Sequence, residues 1–104
     1  MKRYFALIYY AGPDFVQRRA PFREAHLARV RVAPARGELV YGGALGDPVD
    51  RALLVFRGYD RDVAESFAKA DPYVTGGLVQ RWEVQPWAIV CGLREGDFDP
   101  LAAH

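Results

Sequence analysis

Two stretches of the chain, residues 4–10 and 52–56, are apolar at nearly every position. Unbroken apolar runs of this length predict strands covered on both faces. Gly12-Pro13-Asp14 ends the first run, and residues 15–20 read as a short turn or lid that Asp14 can cap. Pro21 suits the first turn of a helix, where a missing N–H costs nothing. From there Phe22, His26, Leu27 and Val30 share one helical arc. Pro34 is expected to kink or end this helix, with Gly37 as a cap just beyond it. Residues 38–45 predict a second strand, loosened by Gly42-Gly43, and residues 46–50 the loop into the third. Asp60 is placed to cap a second helix whose buried stripe is Val63, Ala64, Phe67 and Ala68. That helix must stop near Asp71, because the residue before Pro72 is pushed out of helical geometry. Residues 78–85 predict a strand with Trp82 and Val84 on one face, Arg81 and Glu83 on the other. Pro86 confines it to an edge or ends it, and residues 87–91 read as a short continuation. Residues 93–104 are polar and mixed, and are expected to be loosely held.

The order is therefore β-α-β-β-α-β. Right-handed crossovers turn it into the split βαβ arrangement, a ferredoxin-like α+β fold with an antiparallel sheet. Strands 1 and 3 then lie in the middle, which suits the two all-apolar runs, and the alternating last strand lies at an edge. Both helices cover one face of such a sheet. Apolar residues on the bare face would form an exposed patch that a second copy can cover, so a homodimer is expected.

A length of 104 residues fits one domain, taken as residues 1–92, with 93–104 as a tail and no separate domain. A chain this short buries only roughly 60–70% of the surface its unfolded form exposes, so dimerisation would add burial. Apolar residues at 51% and charged residues at 26% are ordinary globular proportions, which argues against disorder. The net charge is +1 and no basic stripe is present, so no nucleic-acid partner is expected. No run of about 18 apolar residues exists to span a bilayer, so no membrane association is expected. Met1-Lys2-Arg3 before an apolar run imitates a signal peptide, but the run is short, tyrosine-rich and without a small-x-small cleavage pattern. Cys91 is the single cysteine and cannot form an internal disulfide, which fits a reducing compartment and a cytoplasmic location. Two histidines and one cysteine, far apart, give no zinc spacing, and neither metal nor cofactor is expected. Gly42-Gly43 and Gly76-Gly77 lack the lysine and the strand-to-helix setting of a phosphate loop and read as bends.

His26 and Asp71 are the candidates for chemistry. Alone, a histidine on a core face is ordinarily a hydrogen-bonded filler, and an Asp-Pro pair is ordinarily a turn. Together they say more, because the split βαβ layout puts both helices on one side of the sheet. An aspartate released at the end of the second helix can then approach an imidazole on the first. A carboxylate on one ring nitrogen fixes the tautomer and raises basicity at the other, which is what a general base requires. Ser66, within the second helix, and Cys91, at the end of the fold, supply no nucleophile beside the pair, so covalent catalysis is not indicated. Tyr9 and Tyr10 end a central strand and can turn a hydroxyl toward the pair, beside the ordinary core or interface role. Tyr10 is taken as a candidate substrate contact, and Trp82 and Trp87 as packing.

The segments Arg23-Glu24-Ala25-His26-Leu27, Gly37-Glu38-Leu39 and Ala70-Asp71-Pro72-Tyr73-Val74-Thr75-Gly76-Gly77-Leu78 resemble the YciI-like (YCII-related) family over roughly residues 3–90. The resemblance implies a dimeric α+β barrel fold and a His–Asp pair taken as the active site, matched here by His26 and Asp71. Arg23 matches the position three before the histidine and Tyr73 the aromatic after Asp-Pro, so both are substrate-binding candidates. An arginine there suits a substrate carboxylate. Most members lack an assigned reaction. Some resemble muconolactone isomerases in fold, and dehydrohalogenase-type elimination on small rings occurs among them, which implies proton-transfer chemistry without fixing it. The expected function is a small cofactor-free enzyme using His–Asp general acid/base proton transfer, by isomerisation or elimination, on a small cyclic organic acid. The alternatives are a non-catalytic dimeric module that binds a small molecule or a partner, and a dyad that merely ties two helices together.

Overall fold

A computed structural model describes residues 1–92, apart from the side chains of Pro34 and Ala35. In chain order the elements are β1 (Arg3–Tyr10), α1 (Phe15–Arg18), α2 (Ala20–Ala35), β2 (Leu39–Gly46), β3 (Val49–Gly58), α3 (Asp62–Ala70), α4 (Pro72–Thr75) and β4 (Arg81–Trp87). The sheet runs β2-β3-β1-β4 with every neighbouring pair antiparallel. This is the ferredoxin-like βαββαβ fold, with α1 and α4 as short additions ahead of α2 and after α3.

Strand register decides which residues meet the helices. Phe5 pairs with Phe56, Leu7 with Leu54 and Tyr9 with Ala52; across the other side of β1, Leu7 pairs with Val84 and Tyr9 with Trp82. Side chains alternate along a strand, so this set shares one face. It forms the core with Ala64, Phe67 and Ala68 of α3, Tyr73 of α4 and Leu78. The opposite face carries Ala6, Ile8, Leu53 and Val55 at its centre. A bulge between Leu39 and Tyr41 sends Leu39 to the core and Tyr41 to the bare face. Tyr41, Leu45 and Trp87 are exposed there, at 60%, 38% and 42%.

Several boundaries differ from the sequence reading, each for a local reason. Helix α2 runs one residue past Pro34, since a proline so near the end forfeits only a bond of the last turn; Gly37 follows with φ 73°. Asp14 makes no side-chain cap on α1, and its carboxylate lies 3.7 Å from Arg18 instead. Asp60 lies one residue before the N-cap of α3, which is Arg61 and makes no side-chain cap bond; the Asp60 carboxylate instead accepts the N–H of Asp62 at 2.9 Å. β4 begins at Arg81 rather than at residue 78. Val79 N–H donates to the carbonyl of Tyr73 at 2.8 Å, which ties it to the turn after α4 and not to the sheet. β4 stops at Trp87, and the expected continuation is not a strand. Residues 93–104, expected to be loosely held, lie outside the described residues. No described helix is long and apolar enough to cross a membrane.

The backbones of the two longer helices stand apart: no α-carbon of α2 comes within 8 Å of one in α3. At one end α4 fills the gap and touches both. At the other the gap is an open cleft of about 870 Å3, walled by Ala28, Val32 and Ala33 on α2 and by Val63, Ser66 and Phe67 on α3.

Candidate functional site

The α4 end of that gap is where the sequence places its chemistry. Asp71 is the junction. Pro72 forces it out of the helix, to φ −74° and ψ 127°, so α3 ends there. In that extended geometry its side chain turns back to cap α4, with Oδ1 accepting Tyr73 N–H at 3.1 Å. The carboxylate is fully buried and meets two further donors. Tyr9, from β1, donates its hydroxyl to Oδ2 at 2.7 Å. His26, from α2, places Nδ1 2.9 Å from both oxygens. Three elements thus converge on one anion.

An ionised carboxylate only accepts, so Nδ1 carries a proton, and whenever the ring is neutral its lone pair is on Nε2. Among the described residues Nε2 has no hydrogen-bond partner, and the side chain is 12% exposed. Burial alone would push the Asp71 carboxyl up. The hydrogen bonds from His26 and Tyr9, with the His26 charge and the Tyr73 N–H, outweigh it and hold the carboxyl below its usual range. Burial, with the Asp71 charge behind it, pushes the Tyr9 phenol far above its ordinary value, so it remains a donor. The Tyr73 ring lies flat on the imidazole, with centroids 3.8 Å apart and planes within 8°. Phe15 meets the edge of Tyr73 at 5.5 Å.

With this geometry in place, likeness to known proteins is informative. The profile of the YCII-related domain matches residues 3–88. The chain belongs to the YCII-related family. It is 30% identical over 86 residues to Protein YciI of Escherichia coli, an alignment covering 74% of this chain and 88% of that one, and equally to Protein YciI of Shigella flexneri. Among solved structures it is similar to a 5-chloro-2-hydroxyhydroquinone dehydrochlorinase from Burkholderia phenoliruptrix, in complex with 2,5-dihydroxybenzoquinone. That match has a TM-score of 0.66 at 24% identity and covers 81% of this chain and 92% of that one. A candidate antibiotic biosynthesis monooxygenase from Bacteroides thetaiotaomicron matches with a TM-score of 0.53 at 15% identity, over 89% and 94%. The fold is thus that of the dimeric α+β barrel proteins.

In this YCII-related chain, the structure brings together His26, Asp71 and Tyr73. Arg23 is exposed on the first half of α2, close enough for its charge to act on Tyr73. Tyr10 is a correction. Strand alternation turns it to the opposite face of the sheet, where its hydroxyl donates to Glu83 at 2.5 Å and Arg81 lies 3.9 Å over its ring. The tyrosine that reaches the dyad is Tyr9. Two arginines also escaped the sequence reading. Arg29, one turn after His26, bridges to α3 by donating to the Phe67 carbonyl at 2.8 Å and lying 4.3 Å over the Phe67 ring. Arg19, at the end of α1, lies 5.9 Å over the Phe15 ring. The cleft between α2 and α3 includes neither His26 nor Asp71 in its lining.

Proposed function

We propose that this YciI-like protein is a homodimeric proton-transfer enzyme acting on a small organic anion, with His26 as general base and acid. Asp71 fixes the tautomer of His26, Tyr9 and the Tyr73 backbone N–H hold Asp71, and the Tyr73 ring holds the imidazole plane. The observation that carries this reading is that Nδ1 of His26 faces a buried carboxylate while Nε2 has no partner among the described residues. An arrangement serving only to join two helices has no use for a lone pair turned outward. Nε2 can remove a proton from carbon or oxygen, and the resulting imidazolium is stabilised by Asp71. Returning that proton to another atom completes an isomerisation. Expelling a leaving group with the C–H electron pair completes an elimination. The likeness to a dehydrochlorinase of a hydroxylated ring supports elimination, and Arg23, whose charge acts on Tyr73, and Tyr73, stacked on His26, are taken as the substrate contacts. The bare sheet face, with Ile8, Leu53, Tyr41 and Trp87, supports the homodimer.

The test uses 5-chloro-2-hydroxyhydroquinone with chloride release as readout, and small lactones and keto acids with proton exchange into D2O. His26→Asn should abolish turnover while leaving binding of 2,5-dihydroxybenzoquinone, read by thermal shift, in place. Turnover that survives His26→Asn would remove His26 as the base, and binding without turnover of any of these compounds would replace this reading with a non-catalytic binding module.

A further inference from the structure

A guanidinium half-buried without a carboxylate needs a reason, because removing a cation from water is costly unless something compensates it. Arg19 is such a group: its side chain is half-buried, and it forms no ion pair or hydrogen bond among the described residues. Arg18, the residue before it, faces Asp14 instead. Its position is not accidental. The Arg19 backbone is pinned on both sides, its N–H donating to Phe15 O and its carbonyl accepting from Phe22 N–H, each at 2.9 Å. Phe15 lies beneath the guanidinium, Tyr73 stands edge-on to Phe15, and the Tyr73 ring lies on His26.

We propose that Arg19 is the anion-selecting residue of the His26 site, so that its ligands are small planar organic anions whose charged group meets that guanidinium. The proposal rests on the proton-transfer reading of His26 and Asp71 and adds to it the residue that chooses the ligand's charge. Burial pushes the Tyr73 phenol up, and the charge of Arg19, more than that of Arg23, opposes that push, so the positive field does reach the stack. Arg23 is exposed on a helix surface and must lose side-chain freedom to bind, whereas the half-buried Arg19 has less to lose. The guanidinium supplies a planar fork of donors for a carboxylate or enolate. When His26 takes a proton from a carbon acid, negative charge grows on the ligand within the field of that fork.

The experiment is calorimetric binding of salicylate and of neutral salicylamide to the full chain. The wild type should prefer salicylate by about tenfold or more, the range of one charge-assisted contact. Arg19→Gln should erase the preference, Arg19→Lys should keep part of it, and Arg23→Gln should change it less than about threefold. Equal affinity of the wild type for both compounds overturns the proposal. So does a preference that survives Arg19→Gln, or one removed by Arg23→Gln instead. Should Arg19→Gln fail to fold, Arg19→Lys decides, because full wild-type preference without the fork refutes the assignment. His26→Asn should retain the charge preference while losing turnover, so failure of this proposal and failure of the proton-transfer reading give different results.

Discussion

Replacing Tyr9 with phenylalanine removes one oxygen from the interior and leaves the ring in place. Tyr9 and Asp71 are both 0% exposed, and the lost bond is a 2.7 Å contact to an ionised acceptor. Hydrogen bonds to charged groups contribute about 1.5–3 kcal/mol. Asp71 keeps two donors, His26 Nδ1 and Tyr73 N–H, so the carboxylate is not stranded, and the lower half of that range is expected. The loss should also depend on pH. Asp71 titrates below its ordinary value when folded, so its contribution is complete above about pH 4 and fades as pH falls through the lower folded value. Tyr9→Phe removes one cause of that depression, so its cost should be full at pH 7 and smaller in acid. Urea unfolding at pH 7 and pH 3, at matched protomer concentration, measures both. A change under about 0.5 kcal/mol at pH 7 refutes the reasoning, as does a cost that is larger at pH 3 than at pH 7.

Two other perturbations follow from packing. Gly76 has φ −82°, open to any residue, yet an added Cβ would strike Phe22 Cε1 and lie 2.8 Å from Cδ1 and Cζ. Gly76→Ala should therefore cost about 1–3 kcal/mol by thermal unfolding, and pairing it with Phe22→Leu should recover part of the loss. Leu53→Lys places a charge at the centre of the bare sheet face, half-buried in the single chain. Sedimentation should find the wild type as a dimer and the variant as a monomer with unchanged secondary structure; a monomeric wild type would remove the argument for that interface.

The parts of the fold legible in the sequence were those fixed by local chemistry. Pro72 ends α3 whatever surrounds it, so Asp71 was locatable from the dipeptide alone, and Val63, Ala64, Phe67 and Ala68 line α3 as their spacing requires. The phase of β1 was not legible. Tyr9 and Tyr10 sit in a run apolar on both sides, and such a run carries no alternation to say which residue faces the helices. The signal lay elsewhere: Trp82 and Val84 alternate clearly on β4, and their pairing with Tyr9 and Leu7 sets the phase. That register is a tertiary fact. Arg19 and Arg29 were illegible for a related reason, since arginines on short or mixed helices look solvated until the partner element is known.

The site and the stability of the domain share the same atoms. A buried carboxylate is tolerable only if its lone pairs are met, and here they are met by donors from β1, α2 and α4 at once. Each donor is also held by its own element: Tyr9 by strand pairing, His26 by the helix and the Tyr73 ring, Tyr73 N–H by the turn that Pro72 imposes. The anion thus fixes the one remaining free position, Nε2, to within the tolerance of a packed core, although the helices themselves are splayed. Removing Asp71 would release α4, α2 and β1 together, so its loss cannot be read as a catalytic effect alone. Tyr9→Phe and His26→Asn leave the carboxylate in place, and they separate what the dyad holds together from what it does.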